Sequence, residues 1–159
     1  MTEDEPTTED GVWLDCSNSA VRRAARRLGQ LYDDAMGETG LKGTQFSLMT
    51  QIVRSEEPTL KRLAKAMVMD LSALGHTLKP LIRDGLVELV PDEQDRRAKR
   101  VRLTAAGVAK QRELLALWQQ AQNRFDEAFG REQAEELRRT LAFISSSEFT
   151  QAFSRKQDQ

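Results

Sequence analysis

Cysteine and histidine are almost missing from this chain: Cys16 and His76 are the only ones among 159 residues. One thiol excludes an intrachain disulfide and a thiolate-rich metal site, and one imidazole leaves too little for a zinc site, so neither metal nor cofactor is expected. The local patterns of common enzyme chemistries are missing too. There is no phosphate-binding glycine loop, no nucleophile elbow and no His-Glu-x-x-His pair, and the plentiful acids fall on what read as solvent faces. The expectation is a protein that is not an enzyme. No apolar run approaches the roughly 20 residues that span a bilayer, and the N-terminus lacks the basic-then-apolar order of a signal peptide. The expected compartment is the cytoplasm.

What is present is charge, unevenly placed. The formal net charge is −1, but Glu3, Asp4, Glu5, Glu9 and Asp10 crowd the first ten residues without a cation. The near-neutral total therefore conceals a basic body behind an acidic segment, residues 1–14, that reads as a disordered tail. The densest charge lies at Arg96, Arg97, Lys99, Arg100 and Arg102, five cations within seven residues. Apolar residues 86–90 and the alternating Val101 and Leu103 fit two short strands, with Pro91 and the polar residues 92–97 as the loop between them. Cations on a protruding hairpin suit a phosphate backbone, because each neutralised phosphate releases condensed counterions.

The remainder reads as helix. A hydrophobic content of 39% supports one domain, or one small domain with appended helices. Val21, Ala25, Leu28, Tyr32 and Ala35 recur every three or four positions over residues 15–36, with Asp15, Ser17 and Ser19 as candidate caps and Gly37 as the stop. Arg22, Arg23, Arg26 and Arg27 beside this stripe fit a solvated face or intersubunit ion pairs, with DNA contact as the alternative. Thr44 is the expected cap of a second helix to about Arg54, carrying Phe46, Met49, Ile52 and Val53, and Pro58 breaks it. Thr59 then caps a short helix with Leu60, Leu63, Ala64 and Met67, and Asp70 caps the next.

Over residues 71–83, at 100° per residue, Leu74, Leu78 and Leu81 cluster inward with Leu71 and Ile82 flanking. Ser72, His76, Lys79 and Arg83 form the opposite row, beside the small Ala73 and Gly75 that permit close approach to a groove. Pro80 predicts a bend or a loosened bond near Lys79. The order is helix, turn, helix, basic wing, which is the plan of a DNA reader. After Thr104, another cap, Leu114, Trp118, Ala121, Phe125 and Phe129 mark a long helix ending at Gly130. Ala134, Leu137, Leu141 and Ile144 mark a last one over residues 131–149. These terminal stripes need cover, either from a second copy in a symmetric dimer or by folding back on their own subunit. Trp13, Tyr32 and Trp118 read as core or interface aromatics.

Gly40-Leu41 with Thr44-Gln45-Phe46, Leu63-Ala64, Gly85-Leu86-Val87, and Asp95-Arg96-Arg97 followed by Val101-Arg102-Leu103-Thr104 and Gly107 together resemble the MarR family of bacterial winged-helix regulators. The resemblance implies a mainly α fold with a small β-hairpin wing. Residues 41–104 would form the winged helix-turn-helix, and residues 15–40 and 105–153 the dimerisation helices. It also implies a homodimer on a pseudo-palindromic operator of double-stranded DNA and a phenolic or aromatic acid effector held between the dimer helices and the winged domain. By position Arg97 matches the wing-tip arginine and Asp95 the carboxylate that braces the wing. A narrower resemblance is to a MarR group with a Cys-x-Cys element before the first helix; this chain keeps Cys16 but has Asn18 at the second cysteine position. Many relatives carry arginines in the recognition helix where Leu71 and His76 stand, which shifts discrimination toward the wing and DNA shape.

The resulting expectation is a transcriptional regulator, a repressor released by a small ligand or an oxidant. Ser72, Ala73, His76, Thr77 and Lys79 would lie along the major groove, and Arg96, Arg97 and Lys99 would meet phosphates and the minor groove. Cys16, near a helix N-terminus and Arg22 and Arg23, is either a redox sensor or an inert packed thiol. The rival class is a winged-helix module that binds protein and not specific DNA.

Overall fold

The computed structural model describes residues 15–95 and 97–155; the acidic segment at residues 1–14, Trp13 with it, and Arg96 lie outside them. Among the described residues seven helices and one hairpin follow in the order α1 Ser17–Met36, α2 Gly43–Arg54, α3 Leu60–Ala66, α4 Leu71–Arg83, β1 Val87–Pro91, β2 Lys99–Leu103, α5 Ala105–Phe129, α6 Arg131–Ile144 and α7 Ser147–Ser154. A short 3-10 turn, Gly37–Thr39, joins α1 to α2. The mainly α fold with a hairpin wing is as expected.

The core gathers where α2, α3, α4 and the hairpin meet. Leu48, Met49, Leu63, Leu74, Leu81 and Val101 are fully enclosed, and Met36 and Leu114 bring α1 and α5 onto the same cluster. Three caps expected from single residues form: Thr59, Asp70 and Thr104 accept the amides of Arg62, Ala73 and Gly107. Each satisfies an amide that the first helical turn leaves without a partner.

Two expected caps do not form. The residue before α1 is Cys16, not one of the candidate caps Asp15, Ser17 or Ser19, and α2 begins after Lys42, not at Thr44. The first amide of α2, at Gly43, donates to Asp33 Oδ1 on α1 at 2.7 Å, and Gln45 Oε1 accepts from the Lys42 amide at 2.9 Å. A carboxylate ten residues upstream thus serves where a local hydroxyl was expected. Val53, assigned to the apolar side of α2, is 52% exposed, and Leu48 takes the buried place.

α4 runs through Pro80 unbroken. Position 80 has no amide to offer the carbonyl of His76, but the turn closes beyond it through Asp84 N to Pro80 O at 2.9 Å. Its buried stripe is Leu74, Leu78 and Leu81, while Leu71 and Ile82 stand exposed at the edge. The last expected helix is two: the chain turns at Ser145 and Ser146, and Ser146 Oγ caps α7 by accepting from Phe149 N. Apolar spacing continues across this break, which is why periodicity alone missed it.

β1 and β2 pair antiparallel with Val87 opposite Leu103 and Pro91 opposite Lys99. The root of the hairpin is locked to α5. Thr104 N and Oγ1 donate to the carbonyls of Leu86 and Gly85 at 3.0 and 2.6 Å, and Gly107 packs so tightly that an added Cβ would lie 1.9 Å from Leu86 O. α5 then runs 25 residues without interruption, against α1 and α2 and on to α6.

Candidate nucleic-acid interface

Asp70 anchors the start of α4 and its leucine stripe holds it down, so the opposite row is presented outward. Ser72, His76, Lys79 and Arg83 are exposed, and Ala73 is half-buried at their margin. Arg83 is held by the neighbouring Asp84 at 2.8 Å. Thr77 differs from its expected place: its hydroxyl donates to Ala73 O at 3.1 Å, and its side chain lines a cavity on the inner side of the helix. The methyl-sized Ala73 and the bare backbone of Gly75 leave the outward face low, and nothing lies within 4 Å of a Cβ added at Gly75.

The wing sorts its cations into two groups. Arg97 and Lys99 are exposed. Arg100 and Arg102 are engaged inside the hairpin: Arg102 Nε meets Glu88 Oε1 directly across the strands at 2.8 Å, and Arg100 binds Asp92 while donating to Glu57 O at 2.9 Å. Charge counting could not make that distinction, which depends on strand register.

The bracing carboxylate is mainly Asp92, not Asp95. Asp92 is the buried one, 6% exposed; its Oδ1 accepts the amides of Gln94 and Asp95 and its Oδ2 takes Arg100. The amides of Asp95 and Gln94, then Arg100, hold its carboxyl below the usual carboxylate range against the opposing effect of burial. Asp95 is exposed and shapes the tip, accepting Arg97 N at 2.9 Å while its carbonyl accepts Ala98 N. The only sequence signal for Asp92 was its place directly after a strand-ending proline.

Between α4 and the wing lies a groove of about 840 Å³ whose wall includes Lys61, Lys79, Arg97, Lys99 and Arg100. Lys61, on the first turn of α3, joins the expected residues there. It was missed because α3 offered no outward pattern beyond ordinary surface charge.

A second cavity, about 610 Å³, lies beneath α4 between the winged portion and the long helices. Tyr32, Asp33, Met36, Phe46, Met67, Met69, Thr77 and Trp118 line it, with Phe46 and Trp118 ring centroids 6.3 Å apart. Tyr32 Oη donates to Gln122 Oε1 at 2.9 Å, and burial, followed by the charge of Asp126, pushes its phenol pKa up. At the far end of α1, Cys16 is half-buried, and hydrogen bonds from Ser19, with smaller help from the Asn18 amide and Arg23, bring its thiol pKa down. Among the described residues no helix is long and apolar enough to cross a membrane.

The MarR family model matches residues 41–99, the stretch carrying this helix-turn-helix and wing. No curated protein matches the sequence. Among solved structures, the M. tuberculosis transcriptional regulator MosR in complex with DNA is 33% identical, with 86% of this chain and 98% of that one covered at a TM-score of 0.74. A cysteine-to-serine mutant of MarR from E. coli, complexed with operator DNA, shares the fold at 20% identity, 88% and 99% coverage and a TM-score of 0.75. The PcaV regulator from Streptomyces coelicolor, in complex with its natural ligand, does so at 21% identity, 92% and 100% coverage and a TM-score of 0.72. With a relative of this identity covered almost end to end, and its own helix-turn-helix matched by the family model, the chain belongs to the MarR family of winged-helix transcriptional regulators.

Proposed function

We propose that the protein is a homodimeric, sequence-specific DNA-binding repressor that leaves its operator when a small ligand fills the cavity beneath α4 or when Cys16 is oxidised. The observation that carries the DNA-reading part is the exposed row Ser72, His76 and Lys79 on α4, with Lys79 set across a groove from the exposed Arg97 and Lys99 of the wing. Donors on a helix over small residues suit base edges, and exposed cations on a projecting tip suit phosphates and the minor groove. Ala73 borders this face, Arg96 adds to the wing by its position in sequence, and Thr77 serves from the cavity side. MosR, 33% identical and crystallised in complex with DNA, supports DNA as the partner.

Residues 41–104 are the reading unit in this proposal, and residues 15–40 and 105–153 join two copies. Val21, Leu31, Phe129, Phe143 and Phe153 on the long helices are between 42% and 66% exposed, apolar area that a second copy would cover. The two recognition helices must then stand about 34–36 Å apart, one turn of DNA. The cavity bears on this spacing. Met67 and Met69 flank the turn between α3 and α4, and Thr77 sits on α4 itself, so a ligand pressing on them shifts the reading helix directly.

The test is to offer sheared genomic DNA to the purified protein at low salt and sequence what is retained. The expected result is enrichment of an interrupted palindrome with half-site centres about one helical turn apart. Retention no better than random DNA would remove the regulator reading and favour a protein-interaction module.

A further inference from the structure

We propose that the cavity beneath α4 takes an amine-bearing aromatic ligand, a cation, and not the aromatic acid that the family resemblance suggests; this rests on reading the cavity as the effector site. The charges on its wall carry the inference. Among the described residues lining it there is no arginine, lysine or histidine, and the one ionisable group apart from the Tyr32 phenol is the Asp33 carboxylate. Asp33 Oδ1 is taken by the Gly43 amide at 2.7 Å, while Oδ2 makes no bond or ion pair with any described residue. The cation that acts on Tyr32 electrostatically, Arg138, is no part of the wall and is paired with Asp126 at 3.4 Å.

A carboxylate entering this space would lose its water beside Asp33 with no countercharge, which penalises the ionised form. An ammonium meets the opposite conditions. Asp33 Oδ2 offers it a charge-assisted bond, and the wall carries the aromatic rings of Tyr32, Phe46 and Trp118, a residue class whose electron-rich faces attract cations. Met36, Met67 and Met69 supply polarisable walls that adapt to an apolar body.

One ring system carrying three charges tests this: naphthylmethylamine, naphthylmethanol and naphthoic acid, titrated calorimetrically into the purified full chain at neutral pH. The amine is expected to bind at least about tenfold tighter than the acid, and Asp33→Asn, which keeps an acceptor for the Gly43 amide, to weaken the amine about tenfold while leaving the alcohol unchanged. Ser47→Lys, on the cavity wall, gives the converse variant should Asp33→Asn fold poorly; it is expected to weaken the amine and favour the acid. Acid binding as tight as amine binding, no amine binding, or amine affinity indifferent to both variants overturns the proposal. Operator release is measured separately. Amine binding without release would leave the ligand class standing and remove the effector reading of the cavity.

Discussion

Gly107→Ala and Gly75→Ala are the same chemical change with opposite expected signs. At Gly107 the new methyl would sit 1.9 Å from Leu86 O, where ordinary contact begins near 3.4 Å. The wing root and the start of α5 must separate by more than an ångström. That separation breaks the bonds from Thr104 N to Leu86 O and from Thr104 Oγ1 to Gly85 O, and strains the cap from Gly107 N to Thr104 Oγ1. Counting the strained cap with the two broken bonds at about 1 kcal/mol net each, offset by up to about 1 kcal/mol of improved helix propensity, the loss is about 2 kcal/mol. For a chain of this size that lowers Tm by roughly 4–8 °C. At Gly75 the methyl meets nothing, so removing a mid-helix glycine should stabilise by about 0.5–1 kcal/mol and raise Tm by a few degrees. Gly75→Ala should nevertheless weaken DNA binding if the exposed row of α4 reads the groove as proposed, because the methyl rises beside that row. Thermal denaturation of the two variants beside the parent is sufficient. If Gly107→Ala melts within about 1 °C of the parent, the locked joint between wing and α5 is wrong.

Arg97→Ala should weaken binding across all sequences and flatten the salt dependence by about one unit of log–log slope, measured by titrating DNA at several ionic strengths; an unchanged slope removes Arg97 from phosphate contact. Val68, 70% exposed at φ 53° in the turn before α4, holds a β-branched side chain in left-handed backbone, so Val68→Gly should gain about 1 kcal/mol, and a lower Tm would refute the strain. Asp92 has a depressed folded pKa, so its stabilisation of the wing is complete above the unfolded value of 3.8 and fades as pH falls through the lower folded one. The NMR shifts of the Gln94 and Asp95 amides should report that transition, and their indifference to acid would contradict the brace. Cys16 should react with iodoacetamide with a pH midpoint below that of an ordinary thiol. Cys16→Ser should abolish peroxide-triggered DNA release; retained release would assign the thiol to packing.

Features that depend on a residue and its immediate neighbours were legible in the sequence. Thr59, Asp70 and Thr104 each cap the helix they precede, since the bond closes within three residues. The inward leucines of α4 followed from periodicity alone. What escaped depends on distant partners: Asp33 reaching the Gly43 amide, Asp92 claiming Arg100, and Thr77 turned toward a cavity. The five wing cations were visible as charge, but which of them are spent inside the hairpin is decided by register, with Glu88 opposite Arg102. The break at Ser145 and Ser146 was hidden because apolar residues keep helical spacing on both sides of it.

α5 has a mechanical consequence beyond its packing. At 1.5 Å per residue its 25 residues make a rod of about 37 Å, fixed at one end to the wing root and continuing at the other into α6. A tilt of only about 3° moves one end by about 2 Å relative to the other at that rise. Substitutions on α5 that add a kink while leaving the cavity-lining Trp118 and Gln122 in place would therefore act as changes in gear ratio, altering how far the wing travels for a given displacement among the terminal helices.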